Sequence, residues 1–475
     1  MAAPLERHLA LIGFMGAGKS RLGVEVAQRL GRPFVDLDRE IESASGRTIR
    51  DLFVAGGEPA FRVLEGEAAR RELRRAEPAV IALGGGAVEN ESIVHDLKAR
   101  AVTALVEVDV GEAWRRVGGR GRPLAADEAS FRALYQRRAP VYREVADAVA
   151  ADADDAVLAA GGVEVGLGGI ERLASGLHGG RPTALVADAH VAGIHGAVAQ
   201  LALGAALAET HELPAGEEAK TLEAVERLWR ALRLPRGGAL VALGGGSVTD
   251  AAGFVAATYL RGIPWVSVPT TLVGQVDAGI GGKTAIDLPE GKNLVGAFHW
   301  PVRTVIDPGV LATLPPEEVS EGMAEVVKTG LLAGESLWEL PEPELVRRCA
   351  AYKIAICIRD PHEHGERKAL NLGHTFAHAL EAASDYRLRH GEAVALGLLA
   401  ALRLSGLPTD VVEEVLSPRP ARVDAERAWA ALGRDKKTAN GRPQLVLLER
   451  PGVPRIEVEL PEAEIRAALG SLIQG

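Results

Sequence analysis

The sequence predicts an α/β protein of more than one domain: a parallel sheet flanked by helices, then a second α/β region, then a mainly helical one. Three observations carry this expectation. Short apolar runs alternate with helical patterns over the first third of the chain and again between residues 163 and 268, the pattern of parallel sheets covered by helices. Two glycine turns of different design, Gly13-Phe14-Met15-Gly16-Ala17-Gly18-Lys19-Ser20 and Gly244-Gly245-Gly246-Ser247, each follow such an apolar run. From about Pro315 onward, apolar residues recur at helical spacing.

Taken in order, residues 9–12, 34–36, 79–83 and 102–108 read as short buried strands, separated by helices such as 21–30 and 61–75. The stretch 146–162 is rich in Ala, Asp and Gly and lacks bulky core residues, which places a junction near residue 160. The expected domains are therefore 1–160, 161–314 and 315–475. Strands near 163–166, 183–188, 239–243 and 264–268 build the second sheet. Helices are expected over 317–332, 344–358, 367–383 and 391–405, and late strands near 444–448 and 455–459 pair with each other. Ala-Leu-Gly-Gly-Gly occurs at both 82–86 and 242–246, but nothing around it is repeated, so it reads as two independent strand-end turns.

At 475 residues the chain exceeds one typical core, in keeping with two or three domains. Apolar residues make up 47% and charged residues 25%, ordinary for a soluble globular protein. A formal net charge of −10 argues against a nucleic-acid partner, so local basic clusters are read as sites for small anions. Only Cys349 and Cys357 occur, which excludes a disulfide framework and fits a reducing compartment. No signal-like or 20-residue apolar segment is apparent, so a cytoplasmic protein without a membrane partner is expected.

The first glycine turn has the spacing Gly-x4-Gly-Lys-Ser of a phosphate-binding loop. Glycines let backbone N–H groups turn inward around phosphate oxygens, and the next helix offers its positive end. Lys19 is placed to neutralise the β- and γ-phosphates of ATP, and Ser20 to ligate Mg2+. Asp36-Leu37-Asp38, Phe61-Arg62, Gly84-Gly85-Gly86, Arg116, Arg120, Arg122-Pro123-Leu124 and Arg138-Ala139-Pro140 follow. In this order and spacing the set resembles shikimate kinase over residues 5–155. The resemblance implies that Gly16, Gly18, Lys19 and Ser20 hold ATP and Mg2+, and that Asp38, Arg62, Gly84, Gly85, Gly86 and Arg138 hold shikimate. Asp38 would orient or deprotonate the attacking hydroxyl, and Asp36 would stand near the Mg2+. Arg122, in a lid segment over 118–124, would offset charge on the transferred phosphoryl group, and Arg116 would face the adenine. Blander readings remain beside these: Asp36 and Asp38 as helix caps, Arg137 or Arg138 as a solvated helix face. Arg21 follows Ser20 where the family usually has a second hydroxyl.

The second turn, with Asp250 opening the next helix, permits close approach of a pyrophosphate. Farther on come Pro269-Thr270-Thr271, Asp277, Gly281-Gly282-Lys283, Gly291-Lys292-Asn293, Gly322-Met323-Ala324-Glu325-Val326-Val327-Lys328, Arg367, Asn371, Gly373-His374-Thr375-Phe376-Ala377-His378 and His390-Gly391-Glu392. This run resembles 3-dehydroquinate synthase over roughly 163–460, which implies an α/β NAD-binding domain followed by a mainly helical metal- and substrate-binding domain. The resemblance makes Glu325, His374 and His390 ligands of Zn2+ or Co2+, leaving a coordination position open as catalytic zinc requires. For NAD the matching positions are Asp188, Glu217, Lys220, Gly245, Gly246, Asp250, Thr270, Thr271 and Thr313. For the substrate, 3-deoxy-arabino-heptulosonate 7-phosphate, they are Asp277, Lys283, Lys292, Asn293, Lys328, Lys353, Arg367, Asn371 and His378. Of these, Lys283, Lys328, Arg367 and His378 carry catalytic roles. One of Lys436 and Lys437 joins them. Arg261 matches a residue that reaches a partner subunit's site, which implies a homodimer.

The whole chain thus reads as a bifunctional shikimate-pathway enzyme: ATP-dependent phosphorylation of shikimate, and NAD- and zinc-dependent formation of 3-dehydroquinate with release of phosphate. His190 stands where the family generally has Asn, and Ala278 and Gly279 replace common serines. Three alternatives stay open. The larger part is another sugar-phosphate cyclase or a metal-dependent alcohol dehydrogenase; one half is a non-catalytic dimerisation or binding module; or His374 and His378, four apart on one helix, form the metal pair.

Overall fold

The computed structural model describes residues 3–118, 123–125, 127–176, 180–434, 438–439 and 442–474. The chain divides into two compact units, 1–164 and 165–475.

The first unit is built on a five-stranded parallel sheet in the order β2-β3-β1-β4-β5, with β1 His8–Ile12, β2 Phe34–Asp36, β3 Val80–Ala82, β4 Ala101–Leu105 and β5 Ala148–Val149. Strand β1 is buried along its whole length, which is why it reads as an unbroken apolar run and not as an alternation. Helix Lys19–Leu30 starts directly after Gly18, whose φ of 96° suits only a residue without Cβ, and stops at Gly31 in the left-handed region. The expected strand 102–108 ends at Leu105, because Asp109 caps helix Val110–Val117 by accepting the N–H groups of Gly111 and Glu112. The expected helix 61–75 is the second half of a longer one, Ile49–Leu73, kinked at Gly57 (φ 71°). Pro59 is tolerated there because it lies in the first turn after the kink, where no helical N–H partner is lost.

The boundary between the two compact units falls within β6, Val163–Val165, close to the junction expected near residue 160. The second sheet runs β6-β13-β10-β9-β7-β8, with β7 Thr183–Asp188, β8 Leu207–Leu213, β9 Ala239–Gly244, β10 Trp265–Pro269 and β13 Arg303–Ile306. Strands β13, β10, β9, β7 and β8 pair in parallel. Between β10 and β13 an antiparallel hairpin, β11 Lys283–Leu288 and β12 Gly291–Phe298, carries the two lysine motifs. Among the described residues, Ala189–Ala206 is one helical stretch long and apolar enough to cross a membrane by length and composition.

The helices Pro316–Ala333, Glu342–Arg359, His374–Ala383 and His390–Leu404 pack with the late hairpin Leu445–Arg450/Val453–Val458. The core of this part includes Leu331, Phe376, Leu398, Leu402, Leu445 and Leu469. The expected helix 367–383 is broken: a 3-10 turn, Glu366–Asn371, precedes Gly373 at φ 79°, and the α-helix restarts at His374. A Cβ on Gly373 would come within 2.9 Å of Leu398 N, and one on Gly397 would fall on the Gly373 carbonyl. Two bare glycines thus let the helix starting at His374 and the helix starting at His390 approach backbone to backbone, which sets the spacing of those two imidazoles.

Candidate active sites

In the first unit the loop after β1 binds its own lysine: Lys19 Nζ donates to the carbonyls of Gly13 (2.7 Å) and Phe14 (3.1 Å). The Ser20 hydroxyl donates to Asp36 Oδ2 at 2.5 Å, while Asp36 Oδ1 accepts the N–H groups of Asp38 and Arg39. Asp36 is therefore both a helix cap and the carboxylate nearest the hydroxyl expected to ligate metal. Arg116 donates to the Gly16 carbonyl at 2.8 Å, at the rim of the loop. Gly18 opens the helix behind it, and Arg122 lies outside the described residues.

Beside this loop a second cluster forms over the strip Gly84–Gly86. A Cβ on Gly84 would collide with Glu65 Oε1 and lie 3.3 Å from Asp38 Oδ1, and one on Gly86 would collide with the Arg62 guanidinium. The Gly85 carbonyl accepts the Tyr142 hydroxyl. Arg62 pairs with Glu65 at 2.6 Å and with Glu58 at 2.6 Å. Arg138 is 1% exposed and donates through two nitrogens to Glu89 Oε2, at 2.9 and 2.6 Å. Arg137, by contrast, stands in solvent with its side chain 67% exposed, so the bland reading holds for Arg137 and not for its neighbour. Sequence reasoning missed the three acids. Glu65 is the most telling: burial pushes its carboxyl up, against the pull of Arg62, and its Oε1 has no hydrogen-bond partner. Its signal was a Glu three residues after Arg62 on the face that carries Ala68, Ala69 and Leu73 inward.

In the second unit, one cleft of about 1250 Å3 gathers most of the expected residues. One wall is the turn after β9 and the start of the helix Gly246–Thr258. Gly245 precedes that helix with no side-chain cap, so its first N–H groups are available to an anion. Asp188, Glu217, Lys220, Gly245, Gly246, Asp250, Thr270, Thr271 and Thr313 all line the cleft, and His190 joins them. Lys220, 3% exposed, pairs with Asp250 at 3.0 Å and donates to Asn293 Oδ1 at 2.5 Å. Thr313 lies 3.1 Å from His195 Nε2. Lys292 sits 3.8 Å from Glu217 and 4.9 Å from the centre of the Tyr386 ring.

Glu325, His374 and His390 converge at the cleft floor, with ligand atoms all within 4.8 Å of one another. Glu325 Oε1 lies 3.4 Å from His374 Nε2 and 3.1 Å from His390 Nε2. The far ring nitrogens are also held: His374 Nδ1 faces the Leu372 carbonyl at 3.2 Å, and His390 Nδ1 faces Glu381 Oε1 at 3.3 Å. Outer partners of this kind orient an imidazole towards a metal. His378 is not part of this set; its ring stands 5.5 Å from that of His374, on the exposed side of the helix. The His374/His378 pair is therefore not the convergent one. A carboxylate and two imidazoles within bonding reach of one centre fit a divalent ion such as zinc.

Burial lowers His374 to about 4 despite the nearby Glu325 carboxylate, so it is neutral at working pH. Burial also disfavours a charge on His390, but hydrogen bonds to Glu325 and Glu381 outweigh it and push the group up to about 10. A metal must then displace one proton, from His390, and none from His374. Metal binding is expected to release about one proton per ion across pH 6–9. Calorimetry in buffers of different ionisation enthalpy measures this, and release of two protons would contradict the assignment.

Behind the triad, Lys328 (1% exposed) pairs with Glu325 and lies 3.2 Å from Asp277 Oδ2. Lys353 donates to the Asp277 carbonyl at 2.7 Å and pairs with its carboxylate. Burial would raise Asp277, but Lys328 and Lys353 hold its carboxyl below the usual range. Arg367, 1% exposed, donates to the carbonyls of Pro361 and Gly281 at 2.8 and 2.9 Å, and its Nε has no hydrogen-bond partner. Lys283 and Asn371 meet on Glu363, which sequence reasoning had not singled out. Arg261 stands apart: exposed, at φ 69° after Leu260 at φ 51°, and outside the cleft wall. Lys436 and Lys437 lie outside the described residues.

Comparison with known proteins agrees with this division. The shikimate kinase family model matches residues 15–161, and the N- and C-terminal models of 3-dehydroquinate synthase match 210–321 and 322–438. The 3-dehydroquinate synthase of Latilactobacillus sakei is 41% identical over 280 residues, covering 54% of this chain and 79% of that protein. That of Symbiobacterium thermophilum is 42% identical over 325 residues, covering 62% and 91%. Among solved structures, 2-deoxy-scyllo-inosose synthase complexed with carbaglucose-6-phosphate, NAD+ and Co2+ is 26% identical with a TM-score of 0.59, covering 66% of this chain and 96% of that one. The 2-epi-5-epi-valiolone synthase of Streptomyces hygroscopicus with NAD+ and Zn2+ bound is 29% identical, with a TM-score of 0.58 and coverage of 65% and 96%. With its phosphate-binding loop in one unit and its Glu-His-His centre in the other, the chain is a member of the 3-dehydroquinate synthase family that carries a shikimate kinase domain ahead of the synthase.

Proposed function

We propose that these residues carry both reactions of this fusion, that residues 161–314 hold NAD, and that 315–475 hold metal and, together with Asp277, Lys283, Lys292 and Asn293 of the preceding segment, substrate. The observation that bears most weight is the convergence of Glu325, His374 and His390 on one centre in a cleft that also holds the glycine turn, four substrate-facing cations, Lys283, Lys292, Lys353 and Arg367, and the imidazole of His378. An unphosphorylated alcohol would not need that many cations, which argues against a simple dehydrogenase. The 41–42% identity to 3-dehydroquinate synthases, against 26–29% to other cyclases, favours the heptulosonate phosphate as substrate.

In the synthase half, bound NAD and the divalent ion supply reversible oxidation of a secondary alcohol and polarisation of its oxygen. The chain's own residues position the substrate. Asp277, fixed between two lysines, accepts a hydrogen bond from a substrate hydroxyl. Lys283, Lys292, Asn293 and Asn371 grip the phosphate, and Arg367 the carboxylate. His378, on the open side of the helix, exchanges a proton at the leaving phosphate. In the kinase half, Arg62 and Arg138 fork onto the shikimate carboxylate, Asp38 orients the attacking hydroxyl, and Lys19 neutralises the phosphates. Ser20, backed by Asp36, holds Mg2+, and Arg116 faces the adenine.

Arg261 supports a homodimer. Two successive non-glycine residues in the left-handed region hold it out of its own cleft, where it serves a second copy's site. The protein acts in the cytoplasm, with no nucleic-acid or membrane partner. One preparation tests both activities: phosphate release from the heptulosonate phosphate with NAD and Zn2+, and shikimate-dependent ADP formation with MgATP. Phosphate release on a different sugar phosphate alone would favour another cyclase, and ATP binding without ADP formation would favour a non-catalytic first unit.

A further inference from the structure

The segment Asp360–Gly365 is a short, tightly tied loop. The Asp360 carboxylate accepts the N–H groups of His364 (2.9 Å), Gly365 (2.8 Å) and Arg367 (3.0 Å), and Arg367 ties back to the Pro361 carbonyl. At its apex Glu363 adopts φ 59°, a conformation that costs about 1–2 kcal/mol for a residue with a Cβ and that glycine takes freely. The side chain enters the cleft and spends both oxygens on two donors. Oε2 accepts from Lys283 Nζ at 2.6 Å, and Oε1 accepts from Asn371 Nδ2 at 2.8 Å. A carboxylate held across a cation and an amide presents the charge and spacing of one edge of a phosphate group.

We propose that Glu363 is an internal competitor for the substrate's phosphate: it occupies Lys283 and Asn371, yields them when a phosphate enters, and takes them back as the phosphate product leaves. The proposal rests on the reading that Lys283 and Asn371 hold phosphate. Its consequence is thermodynamic. Every phosphate that binds must first break a charge-assisted contact within the protein, so the site holds its anion less tightly than its cations alone would allow. For a reaction that expels phosphate from the same cleft, such a competitor shortens the life of the product complex.

The test uses the full chain loaded with NAD and zinc, with inorganic phosphate as the probe. Glu363→Gln removes the charge, and Glu363→Gly removes the side chain while relieving the left-handed backbone, so the second variant keeps the loop foldable. Both are expected to lower the inhibition constant of inorganic phosphate about tenfold, the size of one charge-assisted contact, and to lower KM for the heptulosonate phosphate with no rise in kcat. A loss of loop order alone would raise both constants. Lys283→Ala is the control and should weaken phosphate binding. If it does so while both Glu363 variants bind phosphate as wild type or more weakly, Glu363 is a supporting group and the proposal is overturned. If Lys283→Ala leaves phosphate binding unchanged, the assignment of Lys283 fails and the proposal falls with it.

Discussion

Replacing His374 by Ala is expected to abolish 3-dehydroquinate formation, by at least about 10^3-fold, while shikimate-dependent ADP formation on the same chain stays within about twofold of wild type. The imidazole is one of three groups that share a centre, and the remaining pair, Glu325 and His390, is already a hydrogen-bonded couple at 3.1 Å. Without the third ligand, a metal must break that couple and take an incomplete set. Zinc content after dialysis should therefore fall together with activity. The reciprocal change is Lys19→Ala, in the loop whose lysine sits on the Gly13 and Phe14 carbonyls, and it should remove ADP formation about 10^2–10^3-fold with zinc content and phosphate release intact. Each retained activity reports that the chain has folded. A His374→Ala protein that keeps both its zinc and its synthase turnover would sink the metal assignment outright.

The parts of the fold and site legible in the sequence are those where chemistry restricts residue type. A parallel strand buried on both faces must be apolar throughout, so β1 and β9 could be read almost to the residue. A phosphate loop needs glycines and a lysine, and a zinc set needs Glu and His, so Lys19, Glu325, His374 and His390 stood out. Other features carried no such mark. The pattern through 367–383 stays periodic across the break at Gly373, because the residues on either side face the same core and only the close approach of Gly397 requires the turn. The hairpin Lys283–Phe298 was visible as two lysine motifs but not as strands, although Thr284 and Ile286 alternate inward. Glu65, Glu363 and Glu381 were missed for a shared reason. A glutamate in a helix or loop is ordinarily solvated, and only the arrangement of Arg62, Lys283 and His390 around them gives each a purpose. Arg138 illustrates the converse: the resemblance singled it out, the solvated-face reading left open for it and for Arg137 was a matter of exposure, and burial separates the two.

Removal of Lys328 is expected to produce the largest loss of stability of any single change in the second unit. Its ammonium is 1% exposed and stands between the carboxylates of Glu325 and Asp277, of which Glu325 is wholly buried. Burial opposes its charge, but the two carboxylates outweigh that penalty and hold it protonated well above the ordinary lysine value. Lys328→Met keeps the length of the side chain and deletes the cation, leaving buried Glu325 with only its histidine partners and Asp277 with Lys353 alone. Breaking a buried pair from one side costs about 3–5 kcal/mol, more than replacing both partners. The metal-free variant should accordingly unfold at lower denaturant concentration by that amount, and synthase turnover should fall with it. Two further measurements separate charge from packing. Zinc, a cation bound by the same Glu325, should raise the melting temperature of Lys328→Met by more than it raises that of wild type. Adding Asp277→Asn should recover part of the lost stability without recovering turnover, because it removes an acid that has lost one of its two lysines but also the group that orients the substrate hydroxyl. Equal zinc stabilisation in both proteins, with no recovery in the double variant, would mean that Lys328 supports the core through its methylenes alone.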